Sequence, residues 1–300
     1  MSSLRITQNS MNRTQLAGLN TSLTRLQHTQ EQLTSGKRLN RPSDNPIDTV
    51  SAMRFRAEQR QLEQFGENIT DGLARLQAAD DALTRTVPMI QKLRTLAVAA
   101  SNATNNASQR AAMAMEATQL REGIIQLANA QYAGRPVFAG TQNVGNAFDP
   151  LTGAFQGNTL PVLRQVTDAP GAAGQVNVSI DGMTAFATAL NQTTGEIDQL
   201  IQAIQTGNKA GLDAGLAAMD SLQDTVMNAA SIAGSRTNRL ASLQTLNGQQ
   251  DDSTRIALSK VEDVDFMRAA MDLNIQSNAY QAALNASAKM IQPSLMDFMR

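Results

Sequence analysis

The sequence predicts a mainly α protein: an elongated antiparallel helical bundle or coiled coil formed by the N- and C-terminal segments, with a small β-rich domain inserted in the middle. Three observations carry that prediction. Near the start Leu16, Leu19, Leu23, Leu26 and Leu33 step by three, four or seven residues, which places them on one face of a helix. Near the end Phe266, Ala270, Leu273, Ser277, Tyr280, Leu284, Ser287 and Ile291 do the same, and Leu295 and Phe298 continue the stripe. Between these seams the grammar changes after Tyr132, where Gly and Pro crowd short strand-like pieces.

The seams are incomplete. Gln30, Ser277 and Ser287 occupy positions at which a stable coiled coil takes Leu or Ile. The terminal helices are therefore expected to be marginal alone and to be completed by pairing or assembly.

The first helix should stop at the break 35–46, punctuated by Gly36 and Pro42. Asn45 can N-cap a second helix with Pro46 at its first position and Asp48 in its first turn. That helix is expected to reach about Asn102 along a seam of Leu62, Phe65, Ile69, Leu76, Ala79, Leu83, Val87, Ile90 and Leu93, bent at Pro88. After a turn, Met113, Ala117, Leu120, Ile124 and Leu127 mark an antiparallel return helix. Strand-like pieces follow at 137–138, 154–155, 162–166 and 176–180, with Asp149-Pro150-Leu151-Thr152-Gly153 as a hairpin turn. Helical period returns from Glu196 to Thr206 and again from Lys209 to Leu258, and Ser259 with Glu262 reads as a capping box opening the last helix. The expected domains are a terminal helical core (1–45 with 259–300), a helical bundle (46–136 with 190–258) and a β-rich outer domain (137–189) packed mostly on itself.

Composition excludes several function classes. A formal net charge of -1 gives no basic field to hold nucleic acid. No stretch reaches the ~18 apolar residues of a membrane span, so no membrane insertion is expected. The N-terminal residues lack the apolar region of a cleavable secretory signal. Cysteine is absent, which removes disulfides and thiol catalysis.

No catalytic, cofactor-binding or metal-ligating set emerges, and no enzyme activity is expected. His28 is the single histidine and reads as an exposed polar residue of a helix, without a second His to share a metal. Asp80-Asp81, Asp251-Asp252 and the Glu262-Asp263-Asp265 group diverge around their helices instead of converging on a substrate. Ser35-Gly36-Lys37 is not a phosphate loop, because Glu31 stands where the first Gly is needed. Judged on turn chemistry alone, the segment 35–46 is a polar linker.

Motifs at three places change that judgement. Leu33-Thr34-Ser35-Gly36-Lys37-Arg38-Leu39-Asn40 followed by Pro42-Ser43-Asp44-Asn45-Pro46 resembles the N-terminal signature of bacterial flagellin-type proteins. The Arg41-Pro42-Ser43-Asp44-Asn45-Pro46 form resembles the FlgL-type, hook–filament junction branch of that superfamily more than flagellin. Tyr132-Ala133-Gly134-Arg135-Pro136-Val137-Phe138-Ala139-Gly140 is similar to that branch's entry into the β domain, and the C-terminal Asn278-Ala279-Tyr280-Gln281-Ala282 and Ser294-Leu295-Met296-Asp297-Phe298 are similar to the family's end. Asn45 departs from the family's commoner Asp at that position. The resemblance implies an extracellular structural subunit exported without a cleaved signal, with flagellin itself as the alternative and a soluble helical binding module as the alternative from another class. Its implied partners are further copies in a ring, flagellin, a neighbouring hook-associated protein and an export chaperone at the C-terminal helix. It makes Ser35, Gly36, Lys37, Arg38, Asn40, Arg41, Pro42, Asp44 and Pro46 an assembly loop. Leu16, Leu19, Leu23, Leu26, Leu33, Phe266, Leu273, Tyr280, Leu284, Ile291, Leu295 and Phe298 become the packing residues of the terminal helices.

Overall fold

The computed structural model describes residues 8–102, 105–186, 189–192 and 194–298, with backbone alone at 8, 9, 11, 12 and 289–298. Seven helices account for most of it: α1 (Gln8–Ser35), α2 (Pro46–Ala100), α3 (Ala107–Ala128), α4 (Gly182–Phe186), α5 (Glu196–Thr206), α6 (Lys209–Glu262) and α7 (Phe266–Phe298). Four short strands, β1 (Gln131–Tyr132), β2 (Arg135–Pro136), β3 (Leu163–Gln165) and β4 (Gln175–Asn177), lie between α3 and α4. The chain divides into two compact units, Met1–Arg60 with Asp251–Arg300 and Gln61–Gln250.

Local chemistry sets the helix ends. Asn45 starts α2, its Oδ1 accepting from the backbone N–H groups of Ile47 (3.1 Å) and Asp48 (3.2 Å). Asn106 and Gln109 form a reciprocal capping box at α3. Gly207, at φ +70, closes α5 in the left-handed conformation that glycine enters without strain. Pro88 lies inside α2, which continues on both sides of it.

In the larger unit Leu76, Leu83, Ile90 and Leu93 of α2, Ile124 of α3, Ile197, Leu200 and Ile204 of α5, and Val226, Ala233 and Leu240 of α6 are all fully buried in one apolar cluster. The β-rich segment shares that cluster through Val137, Phe138, Phe148, Val176, Val178 and Phe186. Phe186 meets Phe138 and Phe148 edge to face at 5.3 and 5.7 Å. Val178 lies so close to Gly72 that a Cβ there would sit 2.8 Å from it. Residues 137–189 thus pack on the helices and not mostly on themselves, because two-stranded ladders have too little apolar area for a core of their own.

The β1–β2 hairpin turns at Ala133 (φ +50) and Gly134 (φ +75) and pairs Gln131 with Pro136. Strand pairing therefore falls one step before the expected 137–138. The turn at 149–153 forms as expected, with Asp149 Oδ1 accepting from Leu151 (2.9 Å) and Thr152 (2.8 Å) and Phe148 bridging to Phe155. β3 runs antiparallel to β4.

Three arginines on the long helices hold the irregular backbone. Arg75 donates to the carbonyls of Pro136 (3.2 Å) and Val137 (3.1 Å), Arg121 to that of Leu190 (2.9 Å), and Arg236 to that of Ser179. Asn129 exchanges hydrogen bonds with the N–H (2.7 Å) and carbonyl (2.8 Å) of Phe148, replacing a missing strand partner.

In the smaller unit α1 packs against α7. The last helix does not open at Ser259. α6 continues to Glu262, and Asp265 caps α7 by accepting from the backbone N–H of Arg268 at 3.2 Å. Ser259 instead donates to Asp263 at 2.5 Å. Glu262 is unavailable as a capping-box partner because Lys37 and Arg56 hold its carboxylate.

Candidate assembly site

The segment between α1 and α2 is an ordered structure fastened to the connection between α6 and α7. Gly36, at φ +71, turns the chain out of α1. Lys37 then bridges antiparallel to Asp263. The Arg38 N–H donates to the Glu262 carbonyl at 2.7 Å, and the Val264 N–H to the Gly36 carbonyl at 3.1 Å. Phe266 lies across Gly36, its ring 3.9 Å from where a Cβ would stand.

Two carboxylates fix this arrangement. Glu262 is 3% exposed, with Arg56 2.7 Å from one oxygen and the Lys37 ammonium on the other. Burial favours the protonated form of Glu262, but the hydrogen bonds and charges of Lys37 and Arg56 outweigh it and hold the carboxyl below the usual range. Asp44 Oδ2 accepts from the N–H groups of Arg41 (2.8 Å) and Asn40 (3.0 Å), and its Oδ1 meets His28 at 3.3 Å. The Arg41 amide is the main cause of its lowered pKa, with partial burial opposing and His28 assisting. His28 is therefore a partner of the loop, not a lone exposed side chain.

Arg41-Pro42-Ser43-Asp44 is a turn closed by Asp44 N–H to the Arg41 carbonyl at 3.0 Å, with Pro42 at the position whose φ it presets. Ser35 and Asn40 bond the Lys37 carbonyl at 3.3 and 3.4 Å, and Pro46 begins α2. Arg38 reaches Asp48 and the Val261 carbonyl, both at 2.7 Å, so it is a structural tie. Arg41 reaches Glu31 at 3.2 Å across exposed surface. All these ties lie within the chain and make the segment a fixed connection between α1 and α2.

Along the α1–α7 pairing, Leu19, Leu23, Leu26, Leu33, Leu273 and Tyr280 are half-buried, while Leu16, Phe266 and Leu284 stay exposed. Ile291, Leu295 and Phe298 lie outside the residues whose side chains are described. Thr29, not Gln30, takes the buried position, and its hydroxyl donates to Gln276 at 3.0 Å. The packed face of α7 runs through Ala269, Leu273, Gln276, Tyr280 and Ala283. Its opposite side carries Met267 (79% exposed), Met271 and Ile275 (66% exposed), and the start of α2 shows Ile47 (78% exposed), Val50 and Met53. From the sequence Met267 and Met271 read as adaptable packing groups that suit a polymer interface equally well, whereas Ile275, Ile47, Val50 and Met53 lie off the seam positions and are not singled out. An i, i+4, i+8 reading of Met267, Met271 and Ile275 would have found a second stripe.

Among the described residues no cluster of His, Cys, Asp or Glu could hold a metal ion, and no helix is long and apolar enough to cross a membrane. The site is made of backbone pairing, two fixed carboxylates and exposed apolar stripes, which are means of joining proteins.

The family described as bacterial flagellin N-terminal helical region matches residues 6–143. Flagellar hook-associated protein 3 of Salmonella typhimurium is 25% identical, over 99% of this chain and 100% of its own length. Flagellin of Bacillus subtilis is 28% identical over 86% of this chain and 88% of its own. FlgL of Bacillus cereus, at 19% identity and a TM-score of 0.58, shares the fold over 69% of this chain and 99% of its own. The chain is thus similar to flagellin-type proteins along its N-terminal region, and to flagellar hook-associated proteins and flagellins over most of its length. Of these relatives, hook-associated protein 3 is matched from end to end.

Proposed function

We propose that the chain is an adaptor subunit at the hook–filament junction, forming a ring of like copies that meets flagellin on one side and another hook-associated protein on the other. The observation that carries this reading is the unfinished state of the smaller unit. Among its described residues the buried apolar side chains are Ala52 and Ala269, while Ile47, Val50, Met53, Met267, Met271 and Ile275 face solvent. Neighbouring copies supply the missing cover, and binding that favours the folded form stabilises it. Joining then belongs to the smaller unit, Met1–Arg60 with Asp251–Arg300. Export proceeds without a cleaved signal, with a chaperone covering the C-terminal helix until assembly.

Hydrogen exchange and co-assembly test this together. In dilute monomer the smaller unit should exchange amide hydrogens far faster than the larger one. Truncation after Val261 should leave the main thermal transition in place and abolish co-assembly with flagellin and with the hook-side protein. Slow exchange throughout the smaller unit, together with assembly of the truncated chain, would favour a self-sufficient helical binding module. Open-ended homopolymers from the purified chain would favour flagellin.

A further inference from the structure

The larger unit contains a pocket of about 140 Å³ between α6 and the segment leading into α4. An apolar cavity of about 150 Å³ is large enough for a benzene ring, so this one admits a ligand of roughly six heavy atoms. Pro161, Ile180 and Ile232 give it apolar walls, and Asn228 and Arg236 stand among its polar groups.

Arg236 is half-buried, and of the three arginines that hold backbone it is the one that lines this pocket. Arg75 is engaged by two carbonyls and lies near Asp71. Arg236 gives one nitrogen to the Ser179 carbonyl and forms no ion pair with any described carboxylate. Burial alone lowers its pKa, with no carboxylate charge to compensate. Asp181 also lines the pocket, but its Oδ1 accepts from the Met183 N–H at 3.0 Å and its Oδ2 from the Thr184 hydroxyl at 2.7 Å. One acceptor site on each of its oxygens is thereby taken up at the start of α4. A half-buried guanidinium that gives one nitrogen to a carbonyl has further donors without a described protein partner, and a planar carboxylate is the group its fork matches.

We propose that this pocket binds a small carboxylate on Arg236, with a short alkyl chain against Ile180, Ile232 and Pro161. The alkyl walls and the single cation disfavour a phosphate, which calls for several donors. A free short-chain acid and an acidic side chain of a neighbouring protein present the same chemistry. The inference does not rest on the junction reading.

The test is a titration of the full-length monomer with sodium butyrate, against sodium chloride at matched ionic strength, read on arginine Nε–Hε correlations. One resonance, identified by its loss in Arg236→Gln, should shift saturably with half-saturation on the order of millimolar. Arg236→Gln also removes the tie to Ser179, so Ile232→Trp provides the second variant. It fills the pocket from a partly exposed helix position, and should abolish the shift while keeping the Arg236 resonance and the thermal midpoint. A shift that is linear, that chloride reproduces or that persists in Ile232→Trp overturns the proposal. Given saturable binding, weakened assembly of Ile232→Trp assigns the carboxylate to a neighbour's side chain, and unchanged assembly assigns it to a free acid.

Discussion

The two compact units are stabilised by different chemistry. The larger one buries leucine, isoleucine, valine and phenylalanine from four long or medium helices and from the β-rich segment in one cluster. The smaller one is held by the Glu262 ion pairs, the Asp44 turn and the Thr29–Gln276 hydrogen bond, and its described large apolar side chains are half-buried or exposed. Hydrogen bonds contribute about 0.5–1.5 kcal/mol each once exchange with water is counted. Ordering the backbone costs about 1–2 kcal/mol per residue. Polar ties therefore set the register of the smaller unit without supplying the driving force to complete it. The difference teaches that one region folds on an apolar core and the other on polar ties, which is the contrast that the junction proposal draws on.

The largest expected effect lies in the larger unit. Phe186→Ala removes the ring that Phe138 and Phe148 both contact and leaves a cavity, which should cost about 3–5 kcal/mol. Urea unfolding followed by circular dichroism would measure it. Amide exchange at Arg38 and Val264 should not change. Equal loss of protection there would mean that the two regions unfold as one, and the comparison would fail.

A smaller effect is expected in the smaller unit. Glu262→Gln weakens the pairs to Lys37 and Arg56, whose half-exposed side chains water already screens, so the loss should be on the order of 1–2 kcal/mol. The pH dependence has a definite sign. The folded pKa of Glu262 is held below its unfolded value of about 4.3. Its stabilisation is therefore present above that value and is lost as pH falls through the folded pKa. Asp44 behaves alike from about 3.9 downward. Protection at Arg38 and Val264, the exchange rate taken relative to the intrinsic amide rate at each pH, should fall in the native chain below about pH 4. In Glu262→Gln exchange should already be faster at pH 6, with a weaker acid dependence carried by Asp44.

Much of this architecture was legible in the sequence, because seam spacing and cap chemistry are local. Asn45-Pro46 announced α2, and Asp149 to Gly153 announced a turn, through interactions spanning three or four residues. The α6–α7 boundary was misplaced because Ser259 and Glu262 satisfy a local pattern, whereas the partners that claim Glu262 are Lys37 and Arg56, over two hundred residues away. Non-local pairing also hid Arg75, Arg121 and Arg236, which look like solvated helix charges until the loops they hold are known. In the loop, the turn chemistry of Pro42 and Asp44 could be read. The tie from Arg38 to Val261 could not, since nothing in the spacing joins them.

The smallest effect on the monomer is expected at the exposed stripe of α7, and it gives the sharpest view of the contrast between the units. Met271 and Ile275 face solvent one helical turn apart, on the side of α7 opposite Leu273 and Gln276. Replacing both by Ser removes no buried contact, so thermal and urea midpoints should stay within about 0.5 kcal/mol of the native chain. If the stripe is a face that neighbours cover, the same change takes apolar area out of every copy-to-copy contact, at about 25 cal/mol per Å². Because the contact repeats around an assembly, incorporation should fall much more than the monomer midpoint does. Sedimentation of the variant mixed with flagellin, beside the Phe186→Ala chain as a control for general destabilisation, would measure the ratio of the two effects. The expected pattern is crossed: Phe186→Ala lowers the midpoint and assembles below its melting range, while Met271→Ser with Ile275→Ser melts normally and fails to assemble. Normal incorporation of the double variant would show that the α7 stripe is bare surface and would move the joining face to Ile47, Val50 and Met53 of α2.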